Sequence, residues 1–295
     1  SDVIIENFIY NLKKYSFVTN ESPPTSYLPS TFSIHKSTQE IILDYLIKML
    51  KIEKDNQLLN LISNTLEKYI NNVITDEDLA QMKLLVSHCE NILKKNYLLN
   101  NSIKVSITSK LGYIHYYLND YIKSQKLLEE SLANLNEHAS EDQAKIAYVL
   151  MYLGDVYSEL GNHGKAKDLC ERSLTIYKQH FPNDHVGVAR ALAYLGNVHR
   201  RLGEYTKARD LCEKSLEIYT NHFSGNPTKV AWALAHLGIT YKKLKDYEKA
   251  KDLLEESLAT YKDNFSENHP RVAWVLAHLG HVHSKLGNYE KAKSL

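Results

Sequence analysis

Glycine is missing from the first third of the sequence. All 11 glycines lie at Gly112 or later, and the earlier stretch is rich in Ile, Leu, Asn and Lys instead. Loops that cradle phosphate groups need glycine, because their backbone approaches the ligand closely and adopts positive φ angles. The first third therefore cannot hold such a loop, and the later glycines follow a repeat pattern. We predict neither nucleotide chemistry nor enzymatic activity for this sequence.

Cysteine, net charge and long apolar runs are also scarce. Cys89, Cys170 and Cys212 are too few for a disulfide framework and suit a reducing compartment. The 36 Lys and Arg residues balance 35 Asp and Glu, so a net charge of +1 gives no bulk attraction to nucleic acid or to an anionic membrane. No run approaches the roughly 18 apolar residues that span a bilayer, and the N-terminus lacks the layout of a signal peptide. We expect a cytoplasmic protein without nucleic-acid or membrane partners.

A strict internal repeat fills the rest of the sequence. The pair Leu-Gly recurs every 42 residues, at Leu111-Gly112, Leu153-Gly154, Leu195-Gly196, Leu237-Gly238 and Leu279-Gly280. An alanine keeps the same phase at Ala166, Ala208, Ala250 and Ala292. Copies locked in phase at a fixed period indicate an array of stacked structural repeats.

One period contains two amphipathic helices. Residues 188–202 place apolar side chains at three- and four-residue spacing, and Gly203 is typical of the end of a helix. Residues 205–219 carry a second apolar stripe. Small residues at Gly196 and Ala208 allow the two helices to pack closely.

These residues resemble the tetratricopeptide repeat (TPR). The order Leu-Gly, Tyr, Leu-Gly-x-Tyr and Ala is its signature, and the long period with NHPRVAWVLAHLG (residues 268–280) is similar to the variant in kinesin light chains. The resemblance covers about residues 101–295 and implies an all-α, right-handed superhelix of five repeats, the last one truncated. Serine stands where a small apolar residue is usual, at Ser131, Ser173, Ser215 and Ser257.

The N-terminal third resembles another family. Two β-type runs, 16–19 and 31–35, have helical patterns on either side, as in the back half of a winged helix. FSIHKSTQE (32–40) is similar to the end of the NB-ARC module of signal-transducing (STAND) NTPases, and LLVSHCENIL (84–93) to the helix that precedes their repeats. The resemblance implies that His35 contacts nucleotide when an upstream NTPase module is present.

The two resemblances predict three parts. Residues 1–46 are a winged-helix-like remnant, 47–98 a helical linker and 99–295 the TPR array. Because the sequence starts without Met and stops inside a repeat, we expect a piece of a longer protein. Its Lys-, Ile- and Asn-rich usage favours a bacterial source.

The inward positions of the first helices predict the ligand-binding groove. They carry mainly aromatic and basic side chains: Tyr148, Tyr152, Arg190, Tyr194, Asn197, Arg200, Arg201, Trp232, His236, Lys242, Lys243, Trp274, His278, His281 and Lys285. Further inward positions hold Tyr113, Tyr116, Tyr117, Asp155 and Glu159. Cations and aromatic rings together suit an acidic segment with an aromatic anchor. Two alternatives stay open: that the two tryptophans wedge against the neighbouring repeat, and that the basic residues form an ordinary solvated face.

Other candidate sites have structural explanations. His278 and His281 share a helix face as a metal pair would, but no carboxylate or cysteine completes a ligand set. Cys170 and Cys212 stand where leucine occurs in other copies, so we predict core residues rather than a disulfide. Three further histidines share one repeat position and are predicted to pack between paired helices: His115, His199 and His283. We predict no metal, cofactor or catalytic group.

These observations predict a protein–protein interaction module that binds a peptide or protein segment in its groove. It would serve as the sensor arm of a bacterial NB-ARC or STAND NTPase. The alternative is a free-standing adaptor, or a secreted effector that imitates host kinesin-light-chain-like adaptors. A third reading, a metal-dependent enzyme, requires zinc or iron in an elemental analysis. An upstream Gly-Lys-Ser/Thr loop in the gene would favour the NTPase.

Overall fold

The computed structural model describes residues 18–20, 32–34, 66–74, 78–94, 99–137, 142–183, 185–223 and 225–295. The chain divides into two compact units, residues 1–63 with 95–100 and residues 64–94 with 101–295. The division into remnant, linker and array at residues 46 and 98 stays a prediction.

The described part of the first unit contains a pair of antiparallel strands. β1 (Val18–Asn20) pairs with β2 (Phe32–Ile34), with Thr19 opposite Ser33. Both strands overlap the β-type runs expected from the sequence. The flanking helices and His35 lie outside the described residues, so the winged-helix resemblance and its nucleotide contact stay predictions.

The second unit is an α-solenoid of helix pairs, which confirms the all-α, right-handed TPR superhelix. A helical segment at 66–74 and α1 (Leu79–Lys94) precede the pairs. The pairs are α2 (Asn101–Tyr117) with α3 (Tyr121–Glu137), α4 (Gln143–Glu159) with α5 (His163–His180), α6 (Val186–Arg201) with α7 (Tyr205–His222), α8 (Pro227–Lys243) with α9 (Tyr247–Asn264), and α10 (Pro270–Lys285) with the short α11 (Tyr289–Ser294).

In the first four repeats the glycine of the Leu-Gly pair lets two helices approach. A Cβ atom added at Gly196 would lie 2.8 Å from Cys212 Sγ, and one added at Gly154 would lie 2.5 Å from Cys170 Sγ. Both contacts join the first helix of a repeat to the second. The expectation that small residues permit this packing is confirmed.

The recurrent serines form hydrogen bonds across the same interface between the two helices of a repeat. Ser215 Oγ donates a hydrogen bond to the Ala189 carbonyl at 2.7 Å, and Ser257 Oγ does so to the Ala231 carbonyl at 2.7 Å. Each hydroxyl is fully buried, and a buried hydroxyl needs such a partner. Serine therefore adds a bond from the second helix to the first at a position where a small apolar residue would only fill space.

The first helices end at one recurrent left-handed residue. Glycine adopts φ of +85°, +82° and +81° at Gly161, Gly203 and Gly287, as is common after a helix. Asn119 and Lys245 take the same place with φ of +60° and +66°.

The residues predicted as structural are buried. Cys89, Cys170 and Cys212 are buried and free of disulfides. The histidines of the shared repeat position are 1–5% exposed, and each faces a carboxylate: His115 faces Asp120, His199 faces Glu204 and His283 faces Glu255.

Within the described ranges, no helix is both long and apolar enough to cross a bilayer.

Candidate ligand groove

The first helices of the pairs line one large concavity. Its volume is about 830 Å³, and α2, α4, α6, α8 and α10 all contribute to its wall. The residues predicted for the groove that line it are Tyr194, Asn197, Arg200, Arg201, Trp232, His236, Lys243, Trp274 and His278. We call this space the larger cavity.

A second, smaller cavity of about 120 Å³ adjoins the first. Its predicted residues are Tyr148, Tyr152, Arg190, Tyr194 and Trp232. The two cavities share Tyr117, Tyr194, Trp232 and Arg271 in their walls.

Three predicted residues lie outside both cavities. Lys242 contacts the larger cavity through His278, because its Nζ lies 2.9 Å from His278 Nδ1. His281 and Lys285 are exposed and line neither cavity. Their part in ligand binding stays a prediction.

Sequence reasoning missed seven residues of the smaller cavity: Ile74, Tyr219, Asn226, Thr228, Lys229, Phe265 and Arg271. A signal was present for the two cations, since each precedes a groove tryptophan, Trp232 or Trp274, by three residues and so shares its helix face. Tyr219 belongs to the second helix of its pair, where the groove was not expected.

Aromatic rings form a continuous ladder along the groove. It runs through Tyr113, Tyr148, Tyr152, Tyr194, Trp232, His236, Trp274 and His278, with neighbouring ring centroids 4.5–5.6 Å apart. The ring pairs are tilted or edge-to-face, which are favourable arrangements. The ladder joins the first helices of all five repeats.

The tryptophans wedge between repeats, which is one alternative that the sequence left open, and they also line the larger cavity. Trp232 packs against Tyr194 of the preceding repeat, and Trp274 packs against His236 in the same way. Each is nevertheless only half-buried and lines the larger cavity. Wedging between repeats therefore holds each ring in place while part of it faces the groove.

The acidic residues of the larger cavity already have partners. Asp155 accepts hydrogen bonds from the Tyr116 hydroxyl and from Asn197 Nδ2, the latter at 3.1 Å. Glu159 pairs with Arg201. The Arg200 guanidinium donates to Asn197 Oδ1 rather than to a carboxylate. A positive charge therefore remains on this side of the groove.

This positive charge lowers the pKa values of basic side chains on α8 and α10. Burial, together with the charges of Lys243 and Arg200, lowers the pKa of Lys242 to about 8. Burial and the charge of Lys242 likewise lower the pKa of His278 to about 4. Burial and the charges of Arg200 and other cations also lower the pKa of His236 well below its ordinary value. A negative ligand would relieve this mutual repulsion.

Several buried polar atoms of the larger cavity lack hydrogen-bond partners among the described residues. They are Arg200 Nε, His236 Nδ1 and His163 Nδ1. Buried polar atoms are normally satisfied, so polar groups of a ligand would complete these sites.

In the part of the chain that the structure describes, no three His, Cys, Asp or Glu side chains are grouped as a metal ion would require. His278 is half-buried beside Lys242, whereas His281 is exposed.

The geometry defines a helical repeat protein with an aromatic and basic groove. The tetratricopeptide repeat model matches residues 104–179, 187–263 and 230–295. These matches cover more than half of the chain, which therefore belongs to the tetratricopeptide repeat family. No curated protein matches the sequence significantly.

Solved structures share this fold at low sequence identity. NprR, a quorum sensor from B. thuringiensis, was solved in complex with its cognate peptide NprX; its TM-score is 0.63 at 17% identity, over 88% of this chain and 71% of that chain. A Podospora anserina protein named as a kinesin light chain gives 0.51 at 16%, over 63% and 88%. A STAND protein from Pyrococcus horikoshii with a tetratricopeptide repeat sensor gives 0.52 at 18%, over 86% and 40%.

Proposed function

We propose that the groove binds a peptide or protein segment that carries acidic side chains and an aromatic anchor. The observation that supports this most is the aromatic ladder, which runs beside basic side chains. The acidic residues near those basic side chains already have partners within the protein. Aromatic rings supply contact area at little entropic cost, and the basic side chains complement carboxylates. The peptide complex of NprR, a protein of the same fold, supports the choice of a peptide ligand.

The ligand can be found by selection. A displayed library of 12-residue peptides is panned on the protein, and a selected peptide is labelled with a fluorophore so that its Kd is measured by fluorescence anisotropy. We expect enrichment of Asp and Glu together with Trp, Tyr or Phe. Enrichment of basic or purely aliphatic peptides would contradict the proposed ligand chemistry.

Charge reversals at one repeat position test the location of binding. Lys243 lines the larger cavity, and Lys285 occupies the same position one repeat later but lines neither cavity. Lys243→Glu should weaken an acidic peptide by ~10-fold or more, because groove charges act at short range. Lys285→Glu should change Kd by less than about twofold, because Lys285 lines neither cavity and salt screens its charge before it reaches the ligand.

A second pair of variants checks this result. Reversal of Arg200 and Arg201 together should weaken the peptide far more than reversal of Lys167 and Lys178, which lie on α5 outside both cavities. Circular dichroism controls for unfolding, since Arg201 also pairs with Glu159. Equal losses from both double variants would place the ligand on another surface.

We further propose that the array is the sensor arm of a STAND NTPase. The fold similarity to the STAND protein with a tetratricopeptide repeat sensor supports this, as does the resemblance of residues 32–40 to NB-ARC modules. The test is the sequence of the complete gene. A Gly-x-x-x-x-Gly-Lys-Ser/Thr loop upstream is expected, and its absence from the complete gene would favour a free-standing adaptor or effector.

A further inference from the structure

Three cationic side chains converge on the smaller cavity. Arg190 enters from α6, Lys229 from the first turn of α8 and Arg271 from the first turn of α10. None of the described residues that line this cavity is an Asp or Glu. The other side chains around it that carry polar groups are tyrosines, Asn226, Thr228 and Trp232. The cavity is therefore basic in a protein whose overall charge is nearly balanced.

Arg190 is held by aromatic rings rather than by a carboxylate. Its guanidinium carbon lies 5.3 Å from the centroid of the Tyr148 ring, which is a cation–π distance. Burial raises the pKa of Tyr219, and the charge and side-chain hydrogen bond of Arg190 act against that rise. Arg190 therefore lies next to the Tyr219 hydroxyl and next to a ring face, both fixed by packing.

Lys229 and Arg190 line the same small cavity, although both are cations. Burial lowers the pKa of Lys229, and the charge of Arg190 lowers it further. Neither side chain forms a salt bridge with the described residues. Lys145, at the same repeat position two repeats earlier, shows the contrast, because its Nζ lies 3.0 Å from Asp142 Oδ2. Holding two partly buried cations together without an anion costs free energy, which a bound anion would offset.

We infer that Arg190, Lys229 and Tyr219 form an anion pocket that holds one carboxylate or phosphate group of the segment bound in the groove. The inference rests on the proposed function of the groove. A volume of about 120 Å³ has room for one such group. Because Tyr194, Trp232 and Arg271 line both cavities, a segment in the larger cavity can extend one acidic side chain into the pocket.

The donor set fits an oxyanion. A guanidinium offers several N–H donors in one plane and binds two oxygens of a carboxylate or phosphate together. The Lys229 ammonium supplies a second charge, and the Tyr219 hydroxyl, which accepts from Arg190, keeps its own proton to donate. Aromatic walls limit solvent around the group and so strengthen these charge-assisted bonds.

The test uses free anions and the tryptophan that lines the pocket. The chain has two tryptophans, so Trp274→Phe leaves the fluorescence of Trp232 as the signal. Sodium phosphate and sodium acetate are titrated in separate arms at constant ionic strength, with sodium chloride as the balancing salt. A saturable change with either anion is expected, and the arm with the lower Kd identifies the preferred group.

Variants in the same background locate the site. Lys229→Met and Arg190→Met should each weaken the anion by ~10-fold or more, as expected for a lost charge-assisted hydrogen bond. Lys229→Arg should retain binding. Lys145→Met is the matched control and should bind as the parent does. Circular dichroism identifies a variant that fails to fold. The variants that do fold then show whether the anion binds at Arg190 and Lys229.

The outcomes separate this inference from the proposed groove function. Saturable binding that is lost in Lys229→Met and Arg190→Met supports the pocket, even if no acidic peptide binds the groove. A selected acidic peptide that responds to Lys243→Glu but not to Lys229→Met would overturn the pocket and leave the groove intact. The absence of any saturable change with both anions, or a change that persists in both Met variants, would also overturn the pocket.

Discussion

Asp155 connects three repeats through side chains on the concave surface. It receives hydrogen bonds from Tyr116 of the preceding repeat and from Asn197 of the following one, and Asn197 in turn accepts from Arg200. Asp155 is only 2% exposed. Burial raises its pKa to about 6, although the Tyr116 hydrogen bond acts against the rise. The carboxyl therefore becomes charged in the folded protein only near neutral pH.

The shift predicts a pH-dependent contribution to stability. The folded pKa of about 6 exceeds the ordinary value of 3.8, so the contribution is complete below the ordinary value and is lost as pH rises through about 6. Relative to Asp155→Asn, the wild-type free energy of unfolding should fall by roughly 2 kcal/mol between pH 4 and 7. Urea denaturation at a series of pH values measures this difference.

Asp168→Asn is the matched control, because Asp168 is exposed on α5. Its stability should run parallel to the wild type over the same pH range. A wild-type curve that is also parallel to Asp155→Asn would contradict the account of this buried carboxyl.

At the residue scale, the sequence predicted which side chains face the groove better than it predicted which side chains contact each other. The repeat register was sufficient to place Trp232 and Trp274 on the concave face. It could not show that each ring packs against the preceding repeat, because that contact depends on how far neighbouring pairs rotate. Tyr219 was missed because the end of a second helix meets the first turn of the next first helix only in the stacked array. Lys229 shares a helix face with Trp232, and that signal was present in the sequence but not used.

At the scale of the helix, every first helix is followed by a residue in the left-handed conformation, and in two of the five repeats that residue is not glycine. Glycine adopts the left-handed conformation after α4, α6 and α10, whereas Asn119 and Lys245 take its place after α2 and α8. A side chain with a Cβ is strained there, and asparagine tolerates the conformation better than lysine. The amino-acid sequence alone does not show this backbone cost, because it depends on the φ angle that each residue adopts.

Lys245→Gly should therefore stabilise the protein. Relief of the left-handed strain exceeds the entropy that glycine adds to the unfolded chain, so we expect a gain of about 0.5–1 kcal/mol in the free energy of unfolding. Asn119→Gly should give a smaller gain. Thermal and urea denaturation measure both variants, and a loss of stability in Lys245→Gly would show that its side chain contributes more than its backbone costs.

For the whole molecule, a period of 42 residues was enough to predict the array. A fixed period forces equivalent residues into equivalent contacts, so five helix pairs and the face that lines the groove follow from the register. Segments outside the period were not predictable in this way. Lys110, for example, is buried in the first repeat, where its Nζ lies 2.6 Å from Asn71 Oδ1 and 3.2 Å from Glu67 Oε1 of the helical segment 66–74. The segment 66–74 lies outside the repeats, so its contact with the first repeat does not recur at 42-residue intervals and cannot be predicted from the period.

The central claim is that the concave surface, and not the outer helices, holds the ligand. Photo-crosslinking tests it most directly, with a benzophenone group placed at the aromatic position of the selected peptide and the crosslinked residues identified by mass spectrometry. The account predicts crosslinks to side chains of the larger cavity, such as Asn197, Trp232 and Trp274. Crosslinks concentrated on outer positions of the second helices, such as Lys167 and Lys178 of α5, would contradict it.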